Sequence, residues 1–271
     1  MRSSILASRA SLAALSLLQR PALTMSSSRL LSTASSSSTP SLSSGNDVPH
    51  AKASLLSADC VCFDVDSTVI VDEGIDALAA HLGKGAEVKA WTTKAMDGGV
   101  KFQDALAARL DIIKPSRGDV ASCLAAHPPV LSPGVKDLVE SLRRNGKEVY
   151  LVSGGFRLMI EPVAEMLGLD PKENVIANTI LFTGEGEYES FDETELTSRD
   201  MGKPAAMRHI MEKKGVERIV MVGDGATDAQ AKPPAKAFVG YGGVVQRKAV
   251  LEKADWFVTD FQEMIDVLDG K

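Results

Sequence analysis

The chain has 271 residues, 24% of them charged, and a formal net charge of −6. An acidic chain without a basic run argues against nucleic acid as its main partner, and no apolar stretch nears the ~20 residues of a membrane span. Its three cysteines form no Cys-x-x-Cys pair and its four histidines are scattered, which removes zinc and dithiol redox chemistry.

Residues 1–45 contain no Asp, Glu or Lys, while Arg2, Arg9, Arg20 and Arg29 sit among Ser, Ala and Leu. That is the composition of an organelle transit peptide. Residues 1–46 therefore read as a disordered presequence addressed to the mitochondrion or plastid. If the segment is instead an untargeted Ser-rich tail, the protein is cytoplasmic. Its arginines supply +4 of the net charge of −6, leaving the body at −10.

Residues 61–65 form a short, apolar, β-branched run that reads as a buried parallel strand. The pattern recurs at 148–152, 218–222, 237–240 and 256–259. Helical periodicities separate these runs, at 133–145 (with Ser132 as N-cap), 156–167, 203–214 and 261–268. The alternation predicts an α/β fold, a Rossmann-like doubly wound parallel sheet. From 74 to 126 every segment is helical in period, with predicted helices at 75–82, 87–96, 102–113 and 119–126. This predicts a helical cap at 74–126 inserted into a core of 56–73 and 127–271. Around 179–191, two apolar runs flank Thr-Gly-Glu-Gly-Glu, the signature of a small β-hairpin insertion.

Ligands of open parallel sheets bind beyond the carboxyl ends of the strands. Three predicted strand ends carry unusual residues: Asp64-Val65-Asp66-Ser67-Thr68, Ser153-Gly154-Gly155, and Gly223-Asp224-Gly225-Ala226-Thr227-Asp228. Four carboxylates in one crevice repel one another without a cation, and hard oxygen ligands point to Mg²⁺. One acidic residue at a strand end is an ordinary helix cap. An Asp-x-Asp and an Asp-x-x-x-Asp that both leave apolar strands are not. Ser153-Gly154-Gly155, expected to open a helix, offers a hydroxyl and backbone N–H groups to a phosphate. Lys203 at a helix start is disfavoured by the dipole, which hints at another role.

These motifs, Phe-Asp64-Val-Asp66-Ser-Thr, Ser153-Gly-Gly-Phe, Lys203 and Gly-Asp224-Gly-Ala-Thr-Asp228, resemble those of the haloacid dehalogenase superfamily. Matches around Glu73, Met96, Arg109, Phe191 and Tyr241 bring the chain nearest to those members that hydrolyse the phosphate monoester of serine. The resemblance runs from about Leu56 to the C-terminus. It implies Asp64 as nucleophile, Asp66 as proton donor and acceptor, and Mg²⁺ held by Asp64, Asp66 and Asp224, with Asp228 supporting from nearby. It also implies Ser153, Gly154, Gly155 and Lys203 around the phosphoryl group. Glu73 would take the substrate ammonium and Arg109 its carboxylate, with Met96, Phe102 and Thr227 close to the substrate. The chain departs from the family in reading Met96-Asp97-Gly98, where glycine usually follows the methionine. The expected partner is small-molecule phosphoserine, with no nucleic acid and no membrane; a homodimer is left open. Two alternatives stand: a phosphatase for another small phosphomonoester, and a phosphoacceptor receiver-type module. Asp66 and the helical insert count against the second.

Overall fold

The computed structural model describes residues 47–96 and 100–271, without the side chains of Ala95 and Met96. The presequence at 1–46, Asp97 and the Met96 side chain thus lie outside the described residues. Within 47–271, six strands form one parallel sheet: β1 (Cys60–Phe63), β2 (Glu148–Phe156), β3 (Val175–Asn178), β6 (Ile219–Gly223), β7 (Ala237–Tyr241) and β8 (Trp256–Val258). Their spatial order is β3-β2-β1-β6-β7-β8. The chain winds outward from β1 to β3 and returns to β6 on the other side of β1. This reversal puts the topological switch point between β1 and β6, where open sheets bind ligands.

Side chains alternate across a strand, so each central strand feeds two cores. In β1, Val61 and Phe63 pack with Val149, Leu151, Val220 and Val222 beneath the helices Val135–Arg144 and Gln262–Leu268. Cys60 and Cys62 face the other way, among Tyr150, Val152, Met221 and Met207 of the helix Gly202–Lys214. Burial on both faces explains the continuous apolar runs, and full burial of Phe63 alone contributes about 1.5–3 kcal/mol.

Several elements depart from the sequence expectation. Strand β3 was not foreseen, nor was the helix Val48–Ser57, capped by Asp47 accepting from His50 N–H at 3.2 Å. Ser132 is not the N-cap of the next long helix: that position falls to Gly134, at φ 78°, a left-handed conformation that glycine adopts freely.

Between β1 and β2 lie the helices Gly74–His81, Gly85–Met96, Phe102–Ile113 and Arg117–Ala126. They enclose a third core around Leu78, Val88, Leu106, Leu110 and Cys123. The hairpin β4 (Ile180–Phe182) and β5 (Tyr188–Phe191) is antiparallel and packs against that same helical core, not on the sheet. Arg117 joins the two, its guanidinium 4.6 Å from the Phe182 ring and its N–H donating to Gly186 O at 2.8 Å. Among the described residues no helix is long and apolar enough to cross a membrane.

Candidate active site

The three motif-bearing strand ends belong to neighbouring strands, β2, β1 and β6, and converge on one edge of the sheet. Beyond β1 the chain makes a wide turn closed by Ile70 N–H donating to Val65 O at 3.0 Å. Ser67 within it has φ 52°, an uncommon conformation for a residue with a side chain. Such conformations collect at functional sites. Here the turn presents Asp64 and Asp66 on either side of Val65.

Asp64 Oδ1 accepts from Val65 N–H at 2.8 Å and pairs with Lys203 Nζ at 2.8 Å. Lys203 also reaches Asp228 Oδ1, at 2.5 Å, and both side chains are buried. Burial opposes the lysine's charge, but Asp228 and Asp64 outweigh it and hold its pKa above that of an ordinary lysine. Asp228 Oδ2 accepts from Gly225 N–H at 2.9 Å, so both of its oxygens are engaged. Asp66 Oδ1 accepts from Gly74 N–H at 2.6 Å. Burial, followed by the charges of Glu73 and Asp64, pushes the Asp66 carboxyl up to about 7.

Carboxylate oxygens of Asp64, Asp224 and Asp228 lie within 4.8 Å of one another. Asp224 Oδ1 accepts from Thr68 Oγ1 at 3.0 Å, and its buried Oδ2 is the oxygen that pairs with the Arg247 guanidinium. Three clustered, buried carboxylates and no soft ligand make a donor set that fits a hard divalent cation. A cation already stands there: the Arg247 guanidinium is ion-paired with Asp224, donates to Asp224 O at 3.2 Å and lies 3.3 Å from Glu73 Oε1.

Ser153, Gly154 and Gly155 sit within the extended end of β2, and the following helix starts only at Arg157. The expected placement at a helix N-terminus is therefore corrected. Gly155 N–H is not free either, since it donates to Ser153 Oγ at 2.9 Å. The glycines are required by close approach. A Cβ on Gly154 would lie 2.6 Å from the Phe102 ring, and one on Gly155 3.0 Å from Asp66 Oδ2.

Glu73 precedes the helix Gly74–His81 without capping it; its Oε1 accepts from Ser67 Oγ at 2.8 Å. Burial raises its pKa, and Asp64 adds to the effect. Arg109 is buried, and burial lowers its pKa. Its Nε donates to Ala105 O at 3.1 Å and its Nη1 to Thr92 Oγ1 at 3.5 Å. Thr92 Oγ1 in turn donates to Asp76 Oδ1 at 2.9 Å. Among the described residues no carboxylate pairs directly with Arg109. Phe102 N–H donates to Asp200 Oδ1 at 2.9 Å, holding its helix against the loop before Lys203.

These groups surround a cavity of about 440 Å³. Of the thirteen residues named from the sequence, ten line it: Asp64, Asp66, Glu73, Phe102, Arg109, Gly154, Gly155, Lys203, Asp224 and Thr227. Ser153 and Asp228 stand behind its wall, each bonded to groups at the rim. Arg247 and Thr92 line the cavity and were missed. Arg247 lies in no predicted element and Thr92, within the predicted helix 87–96, carries no motif, so only the tertiary fold brings them in.

Residues 58–232 match the family described as haloacid dehalogenase-like hydrolase, the class that this sheet and its carboxylate edge define. The chain is 50% identical over 229 residues to the chloroplastic phosphoserine phosphatase of Arabidopsis thaliana, covering 83% of this chain and 77% of that one. The solved phospho-aspartyl intermediate analogue of phosphoserine phosphatase superposes with a TM-score of 0.68 at 26% identity, covering 77% of this chain and 98% of that one. The structure of DsGPDH of Dunaliella salina superposes with a TM-score of 0.70 at 35% identity over 80% of this chain, which spans only 37% of that longer one. The chain belongs to the phosphoserine phosphatase family. Membership sets aside the receiver-type alternative.

Proposed function

We propose that this chain hydrolyses O-phospho-L-serine to L-serine and phosphate, the last step of L-serine synthesis, through an aspartyl-phosphate on Asp64. An Asp64 oxygen attacks phosphorus and the bond from phosphorus to the serine oxygen breaks, its electron pair leaving with that oxygen. Asp66 delivers the proton the serine oxygen needs; a carboxyl pushed up to about 7 is suited to giving it near neutral pH. Water then attacks the aspartyl-phosphate, Asp66 takes its proton, and the bond to Asp64 breaks to release phosphate. Lys203 neutralises charge on the phosphoryl oxygens and on the carboxylates around it, and the segment Ser153–Gly155 bounds them on the other side. Asp64, Asp66 and Asp224 would hold Mg²⁺, backed by Asp228. Bound there, the ion supplies charge neutralisation that lets phosphate approach four carboxylates.

The observation that carries the substrate is the pair of opposite charges in the upper cavity. Glu73 suits an ammonium and Arg109, with which no carboxylate pairs among the described residues, a carboxylate. Their placement on the insert at 74–126 and its edge supports reading that insert as a substrate-selecting cap, which Met96 and Phe102 would close. A substrate panel with Mg²⁺ withheld and restored tests this. Phosphoserine should dominate and require the metal; equal turnover of simple sugar phosphates would point instead to a general phosphomonoesterase.

The acid-free presequence and the chloroplastic relative support plastid targeting. Fusion of residues 1–46 to a fluorescent protein tests it, with mitochondrial or diffuse signal as the contrary result.

A further inference from the structure

The end of β2 carries a second feature, and it involves a residue on the strand that the sequence did not reveal. Along β3, Ile176 pairs with Val152 and Asn178 with Phe156. Four steps on β2 therefore oppose two on β3, so Ser153–Gly155 falls outside the regular ladder, with Gly154 and Gly155 lining the cavity. A bulge frees backbone groups that must find other partners. Asn178 supplies one from its side chain, with Nδ2 donating to Gly154 O at 2.8 Å.

The amide is itself fixed. Its Nδ2 also donates to Thr197 O at 3.3 Å, and its Oδ1 accepts from Thr197 Oγ1 at 2.9 Å. Both donors and one acceptor are thus used, and turning the amide over would set oxygen against two carbonyls. Asn178 is fully buried, Thr197 nearly so, and neither is charged. Because the Gly154–Gly155 peptide is planar, fixing Gly154 O also aims Gly155 N–H, which donates to Ser153 Oγ at 2.9 Å. The serine hydroxyl, with that acceptor site filled, keeps its own proton to donate.

We propose that Asn178, locked by Thr197, is a positioning residue for the phosphoryl group: it sets the Gly154–Gly155 peptide and through it the Ser153 hydroxyl. This rests on the reading of Ser153–Gly155 as the phosphate cradle. The residue touches no substrate atom. It acts on whatever phosphate ester is bound and is blind to the rest of the substrate, unlike Glu73 and Arg109.

The test uses the full-length enzyme with saturating Mg²⁺ and inorganic phosphate as the probe. Asn178→Ala should lower kcat by about 10- to 100-fold, equally for phosphoserine and p-nitrophenyl phosphate, with Ki for phosphate rising alongside. Mg²⁺ affinity by calorimetry should stay at the wild-type value, a split that a general loss of structure would not give. A folded Asn178→Ala with kcat and phosphate Ki within about twofold of wild type overturns the proposal, that being too small for a displaced donor. Should that variant fail to fold, Thr197→Val, which removes only the lock on Oδ1, should still raise phosphate Ki and lower kcat by about 3- to 10-fold. Wild-type behaviour there overturns the proposal equally. Ser153→Ala, run in parallel, separates the two layers: if it too is unaffected, the cradle reading fails. If it alone is impaired, only the role of Asn178 fails.

Discussion

Lys203 Nζ lies 2.8 Å from Asp64 Oδ1, inside the protein, at the point where the first strand hands its chain to the cavity. The same ammonium holds Asp228, so one buried lysine joins a carboxylate that follows β1 to one in the short helix Ala226–Ala229 beyond β6. Removing it leaves two buried charges without their partner. Lys203→Met should therefore cost about 3–5 kcal/mol of stability by denaturant unfolding, and turnover should fall at least about 10²-fold. A variant as stable and as active as wild type would show that the pair is incidental.

The Asp66 carboxyl, pushed up to about 7, predicts a pH effect of definite sign. The leaving-group step needs the protonated form, so its rate should fall as pH rises through that value. The same shift weakens the fold. Because the folded pKa is raised above the ordinary value of 3.8, ionisation in the native state costs stability. That cost is absent below the unfolded pKa and is complete once pH exceeds about 7. Metal-free Asp66→Asn, which retains an oxygen for Gly74 N–H, should melt above wild type at pH 8 and level with it near pH 4. An equal Tm at both would place the group in solvent.

For Arg109→Ala we expect kcat/KM for phosphoserine to fall about 10- to 100-fold, the loss of charge-assisted hydrogen bonds to a carboxylate. The p-nitrophenyl phosphate reaction, which offers no such carboxylate, should change little. Parallel losses on both substrates would move Arg109 from substrate recognition to structure.

Arg247 stands as counter-ion to Asp224, where a divalent cation would also be held. Two cations at one carboxylate compete. Arg247→Gln should tighten Mg²⁺ binding by about tenfold in calorimetry, the scale of an ordinary coupling between two sites. Unchanged or weaker binding would mean that the guanidinium and the metal occupy the site together.

How far the sequence alone could see depends on the physics of each feature. Strands β1, β2, β6, β7 and β8 were legible because burial on both faces forces unbroken apolar runs. Strand β3 has four residues, one of them asparagine, and only its pairing with β2 makes it a strand. The proposed nucleophile, metal and phosphate residues, Lys203 apart, were legible as motifs because each group is short and follows one strand end. Arg247 was not, for it meets Glu73 across 174 positions with no local pattern to mark it. The Ser153–Gly155 segment was seen but misplaced, since a Ser-Gly-Gly before a helix reads as its N-terminus. The two-residue excess of β2 over β3, invisible in either strand alone, keeps it extended.

The central claim is that Asp64 takes the phosphoryl group. Rapid quenching of the Mg²⁺-loaded enzyme with phosphoserine, followed by mass mapping, tests it most directly. Wild type should carry a phosphate on Asp64 that turns over within seconds, while Asp64→Asn carries none and releases no phosphate. Turnover persisting in Asp64→Asn, or phosphate mapped to another residue, would contradict the account.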